Sequence, residues 1–110
     1  MIYAGKITKV FDPINYEVLV DMGLGITYTC KVKMAGVKYK KYNKDDNNEY
    51  EEFLNTKDVI KNELCGKDLM IKFVTDYKDK SGKYLVDFLI GDRLASENFI
   101  SSGILQSIVT

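Results

Sequence analysis

Six lysines, Lys31, Lys33, Lys38, Lys40, Lys41 and Lys44, fall within fourteen residues and are interleaved with Tyr39 and Tyr42. Ammonium groups at that density attract phosphates, and aromatic rings among them offer faces on which nucleic-acid bases stack. Asp45, Asp46, Glu49, Glu51 and Glu52 follow at once and partly neutralise the run, so its plain alternative is a solvated face. The chain contains no histidine, which removes His-based acid–base catalysis and His-ligated metal sites. Cys30 and Cys65 lie far apart without CxxC spacing and read as reduced, buried, small hydrophobes. Glu51, Glu52, Asp58 and Glu63 read as the solvent side of a helix. Asp76, Asp79 and Asp87 stand among Lys78, Lys80 and Lys83 and read as a charged turn.

The frame for this chemistry is small. At 110 residues, 45% hydrophobic, with a single proline, the chain is expected to form one domain, 1–110, with a core that needs no metal or disulfide. Sixteen cations balance sixteen acids, so no whole-molecule field draws it to nucleic acid or membrane, and any such attraction must be local. All the cations but Arg93 are lysines, which leaves one guanidinium able to fork onto a phosphate. No apolar leader and no eighteen-residue apolar run is present, so the expectation is a soluble, cytoplasmic protein without membrane contact and without a cofactor.

Ile2 to Phe11 is β-prone, Asp12 to Asn15 supplies a turn, and Tyr16, Val18 and Val20 alternate with Glu17, Leu19 and Asp21. Gly23-Leu24-Gly25 reverses the chain into a period-two stretch with Ile26, Tyr28, Cys30, Val32 and Met34 on the core face. Gly36 to Glu52 reads as a long polar surface loop. Tyr50 to Leu64 carries apolar residues at helical spacing and is closed by Gly66. Asp68 to Thr75 and Tyr84 to Ile90 read as two more strands around the turn Asp76 to Lys83. Gly91-Asp92 is a tight reversal, Ser96 an N-cap, Gly103 the end of a short helix, and Ile104 to Thr110 an extended tail. Phe11, Phe73, Phe88 and Phe99 are expected in the core. Three strands, an amphipathic helix, two strands and a short C-terminal helix is the order of a five-stranded Greek-key OB-fold barrel, a mainly β, α+β class.

Four segments in this order resemble the thermonuclease, or staphylococcal-nuclease-like, family across nearly the whole chain. Val10-Phe11-Asp12-Pro13-Ile14-Asn15-Tyr16-Glu17-Val18 is similar to V-x-D-G-D-T-x-x-V, and Val32-Lys33-Met34-Ala35-Gly36-Val37-Lys38-Tyr39-Lys40-Lys41 to V-R-L-x-G-I-D-T-P-E. Asp79-Lys80-Ser81-Gly82-Lys83 is similar to D-K-Y-G-R, and Ser96 to Gly103 to N-E-x-L-V-x-x-G. In active members, the resemblance implies, two aspartates help hold calcium, a glutamate serves as or orients the general base, and two arginines clamp the phosphate. Here those positions hold Ile14 and Lys38, Lys41, and Lys33 and Lys83.

The substitutions change the chemistry. Calcium takes about six to eight oxygen ligands, mostly carboxylate, and isoleucine and lysine supply none. A lysine is protonated near neutral pH and cannot serve as the base, and in place of arginine it keeps charge but loses the bidentate fork. Asp12 alone keeps a family carboxylate. The expectation is a non-catalytic binding module, not an enzyme. It holds single-stranded nucleic acid or another polyanion through Lys33, Lys38, Lys40, Lys41 and Lys83, with Tyr39 and Tyr42 as stacking groups and no metal. Two alternatives stand beside it: a protein-interaction or accessory protein of a phage or other mobile element, and, third, a hydrolase with relocated metal ligands.

Overall fold

Alternating apolar residues in the first three strands force them into one antiparallel meander, and the structure, a computed structural model describing residues 1–108, shows it. The strands are β1 (Ile2–Asp12), β2 (Asn15–Gly23) and β3 (Ile26–Met34). A two-residue strand β4 (Val37–Lys38) leads to helix α1 (Asn47–Leu64), then to β5 (Leu69–Phe73) and β6 (Tyr84–Ile90). The short strand β7 (Arg93–Leu94), helix α2 (Ala95–Ser101) and strand β8 (Gln106–Ser107) complete the chain, with β8 pairing antiparallel to β4.

The sheet order β3-β2-β1-β5-β6 closes on itself because β6 also pairs, in parallel, with β3 at Val32–Met34. The molecule is therefore mainly β with two helices around a closed five-stranded barrel, an OB-fold-like arrangement. Closure demands close approach in the middle of β1. A Cβ on Gly5 would stand 2.5 Å from the Leu19 carbonyl oxygen and 2.6 Å from Ile71 Cδ1, so only glycine fits there. The barrel interior is filled by Ile7, Val10, Tyr16, Val18, Val20, Val32, Met34, Ile71, Val86 and Phe88, with Tyr16 and Phe88 edge to face at 5.5 Å between ring centroids. Helix α1 closes one end with Ile60 and Leu64, both fully buried.

Several expectations are corrected. Phe11 is not core but 43% exposed. The register of β1 on β2 slips between Ile7 and Lys9, and this bulge resets the alternation so that Val10 turns inward and Phe11 outward. The outer half of β3 is not core-facing either, since Ile26 and Tyr28 are exposed and only Cys30, Val32 and Met34 are buried. Helix α1 starts before Tyr50: Asp46 caps it by accepting from Asn48 N at 3.0 Å and Glu49 N at 3.2 Å, which shortens the polar loop. Ser96 is not the cap of α2. That position falls to Leu94, which makes no side-chain cap bond, and Ser96 lies buried inside the first turn.

Asp87 does not belong to a charged turn. It is 5% exposed, and its carboxylate accepts from Phe88 N at 2.8 Å, from Ser96 N at 3.2 Å and from the Ser96 hydroxyl. A buried carboxylate is tolerable only with its lone pairs filled, and here they tie β6 to α2. Cys30 is buried as expected, whereas Cys65 is half-buried, its Sγ 3.4 Å from the Ile7 carbonyl. Of the extended tail, Gln106–Ser107 is a strand, and residues 109–110 lie outside the described residues. No helix among the described residues is long and apolar enough to cross a membrane.

Candidate functional site

The β1–β2 turn is set by one side chain. Asp12 Oδ1 accepts from Ile14 N and Asn15 N, each at 2.9 Å, an Asx turn around Pro13. Both Asp12 oxygens also take the Asn15 amide, at 2.9 and 2.8 Å. Beneath the turn, the buried Tyr16 hydroxyl donates to the Pro13 carbonyl. Burial, then the nearby charges of Asp12 and Asp87, push this phenol well above its ordinary range, so it stays a donor at all working pH.

The turn forms one wall of a hollow of about 590 Å³ whose other walls are Tyr39, Lys40, Lys41 and Tyr42 from the loop before α1 and Phe53 from the helix itself. Lys83, just before β6, meets the turn from outside the hollow: its Nζ donates to Asn15 Oδ1 at 2.7 Å, so the Asn15 amide is held between an aspartate and an ammonium. Lys33 is the register partner of Asn15 across β2 and β3. Thus Lys40 and Lys41 line the hollow, Lys33 and Lys83 adjoin its β1–β2 wall through Asn15 without lining it, and Lys38, on β4, is exposed and does not line it either.

These charges are not equivalent. Lys40 is paired with Glu52 of α1 at 2.8 Å, and that hydrogen bond holds its ammonium above the ordinary lysine range. Lys33, Lys41 and Lys83 have no ion pair among the described residues. The tyrosines are also partly engaged. Tyr42 stacks on Phe53 at 4.1 Å, and Tyr39 meets Phe53 edge-on at 5.8 Å with its hydroxyl buried and without a hydrogen-bond partner. Chemically the hollow offers ammonium donors, the phenols of Tyr39 and Tyr42 and aromatic carbon beside a single carboxylate. No group of three or more His, Cys, Asp or Glu side chains able to hold a metal ion occurs among the described residues.

Three contributors are visible only in the structure. Phe11 lies on the rim with the Lys31 ammonium 5.7 Å from its ring centroid, an exposed cation–π pair created by the bulge. Asn15 carries the link to Lys83, and Phe53 supplies the platform for Tyr42. The spacing of Phe53 on its helix marked it only as apolar.

A second hollow, of about 620 Å³, lies at the opposite end of the first three strands. Tyr3, Val20, Met22, Tyr28, Phe73, Tyr84 and the segment Val74 to Tyr77 line it. Tyr3, Phe73 and Tyr84 meet edge to face at 5.8 and 5.5 Å, and the Lys78 ammonium lies 5.8 Å from the Tyr84 ring. The Tyr84 phenol is raised, first by its hydrogen bond with Tyr28 and then by desolvation. Compared with known proteins, the chain matches no family model and no curated protein.

Proposed function

We propose that this protein is a non-catalytic relative of the thermonuclease-like OB barrels whose lysine-lined hollow takes a polyanion, with single-stranded nucleic acid as the ligand. The observation that carries the reading is the convergence of Lys33, Lys41 and Lys83 on the β1–β2 turn, with no ion pair among the described residues, beside the aromatic carbon of Phe11, Tyr42 and Phe53. Unpaired ammoniums next to stackable rings suit a backbone of phosphates and its bases. Ile14 and Lys41 stand where the resemblance places a metal ligand and a catalytic carboxylate. Asp12, the carboxylate that remains there, is consumed by the Asn15 amide and two backbone amides.

The ligand is expected to bind weakly and to be sensitive to salt, because neutralising a phosphate releases counterions. The test is anisotropy of a labelled single-stranded oligonucleotide at low and moderate salt. Lys33→Glu with Lys41→Glu should weaken binding at least about tenfold and flatten the logarithmic salt slope by about 1.4, that is about 0.7 for each phosphate no longer neutralised. Unchanged affinity in the double variant rejects the reading.

A further inference from the structure

We infer that the second hollow is a gap in the barrel wall that receives an extended segment of a partner protein, added as a strand to the free edge of β3. The barrel is closed by β3–β6 pairing only over Val32–Met34. Before that point β3 is paired with β2 on one side and has no backbone partner on the other among the described residues. Met34 N donates toward β2, to Ile14 O at 2.9 Å, and Ala35 N toward β6, to Val86 O at 2.8 Å. Carried back along the strand, this alternation turns the N–H and C=O of Thr27 and Thr29 outward. Unpaired edges of this kind template strand addition.

The side chains beside that edge suit the same occupant. Tyr28 lines the hollow, whose floor is Val20, Tyr3, Phe73 and Tyr84 and whose far wall is the segment Val74 to Tyr77. Val74 is 53% exposed and Tyr77 68% exposed, so two large apolar side chains of the far wall lie uncovered, with Thr75 and Asp76 between them. A strand laid between β3 and this segment would continue the barrel wall and send alternate side chains onto the aromatic floor. Charge selects the partner further. Asp76 on the far wall lines the hollow and carries no ion pair among the described residues, while the Lys78 ammonium lies 5.8 Å from the Tyr84 ring. The occupant is therefore an extended peptide with apolar residues at alternate positions and a lysine or arginine at its flank. Anionic lipid is disfavoured, because the charged side chain that lines the hollow is an acid, Asp76.

The test pans a random-peptide library against the folded protein and titrates synthetic copies of the enriched sequences into labelled protein. The expected result is enrichment of alternating apolar peptides carrying a basic residue, with amide shifts at Thr27, Thr29 and Val74 to Tyr77. Val74→Asp with Tyr77→Ser, both at exposed positions, should weaken them at least about tenfold. Thr29→Pro, which removes an outward N–H on an edge that tolerates proline, should do the same. Failure to enrich such peptides, shifts confined to the lysine hollow, or affinity indifferent to both variants overturns the proposal. A dimer abolished by Thr29→Pro would assign the edge to a second copy of the chain, and sedimentation with phosphatidylcholine vesicles would assign the hollow to lipid. Either result also overturns it.

Discussion

The two ends of β1, β2 and β3 are made by the same strands and present opposite chemistry. At the β1–β2 turn, ammonium groups surround a single engaged carboxylate, and the aromatic rings are already stacked on one another. At the β2–β3 end, rings and methionine surround an open floor whose lining carries one acid, Asp76, with the Lys78 ammonium beside the Tyr84 ring. That end also carries Gly23-Leu24-Gly25, three successive residues at positive φ, with Leu24 fully exposed at φ 56°. A leucine in the left-handed region costs backbone energy and here covers nothing of its own. The lesson is that zero net charge conceals a polarised molecule, about 48 Å along its long axis and 26 Å across.

The largest effect should come from the point both ends share. Gly5→Val drives a side chain into the Leu19 carbonyl and Ile71, so it should cost about 3 kcal/mol in denaturant unfolding and disturb both hollows together. Loss of only one end would show that the barrel is not a common frame. Next, Asp87→Ala removes the acceptor of three hydrogen bonds and should cost about 2 kcal/mol. Its amide shifts should spread over α2 and, through neighbouring Tyr16, the β1–β2 turn, leaving Tyr28 and Tyr77 in place.

Smaller effects separate the ends further. Burial covers the Cys30 thiol and raises its pKa, whereas Cys65 is only half-buried, so iodoacetamide should modify Cys30 at least about tenfold more slowly. Equal rates would mean that the aromatic end opens readily. The smallest change concerns the turn that joins the two ends. The Ser81 hydroxyl, then the Lys83 amide, hold the exposed Asp79 carboxylate below its ordinary value of 3.8. A carboxyl lowered in the folded state stabilises above the unfolded value and loses that contribution as pH falls through the folded one. Amide shifts of Ser81 and Lys83 should therefore titrate with a midpoint below 3.8, and a midpoint at or above it contradicts the Asp79 bonds.

The barrel was legible because its order rests on alternation and on glycine or proline turns, which are local signals. The bulge near Thr8 was not, since one added residue leaves composition unchanged while inverting which face Phe11 occupies. Asp87 looked like its charged neighbours, and only the return of α2 over β6 buries it and supplies Ser96 as partner. The lysines of the candidate site were visible as a cluster. What the sequence hid was their division: Lys40 neutralised by Glu52, Lys33 and Lys38 outside the lining of the hollow, and Lys83, also outside it, linked through Asn15 to Asp12. The aromatic hollow had no linear signature at all, because Tyr3, Tyr28, Phe73 and Tyr84 come from four different strands.

The most direct measurement is a heteronuclear titration of the labelled protein with a short single-stranded oligonucleotide, repeated with calcium present. The polyanion reading predicts fast-exchange shifts concentrated at Phe11 to Asn15, Lys33, Tyr39 to Tyr42 and Lys83, unchanged by calcium and with the oligonucleotide intact. Shifts centred on Tyr28 and Tyr77, or calcium-dependent cleavage of the strand, would contradict it.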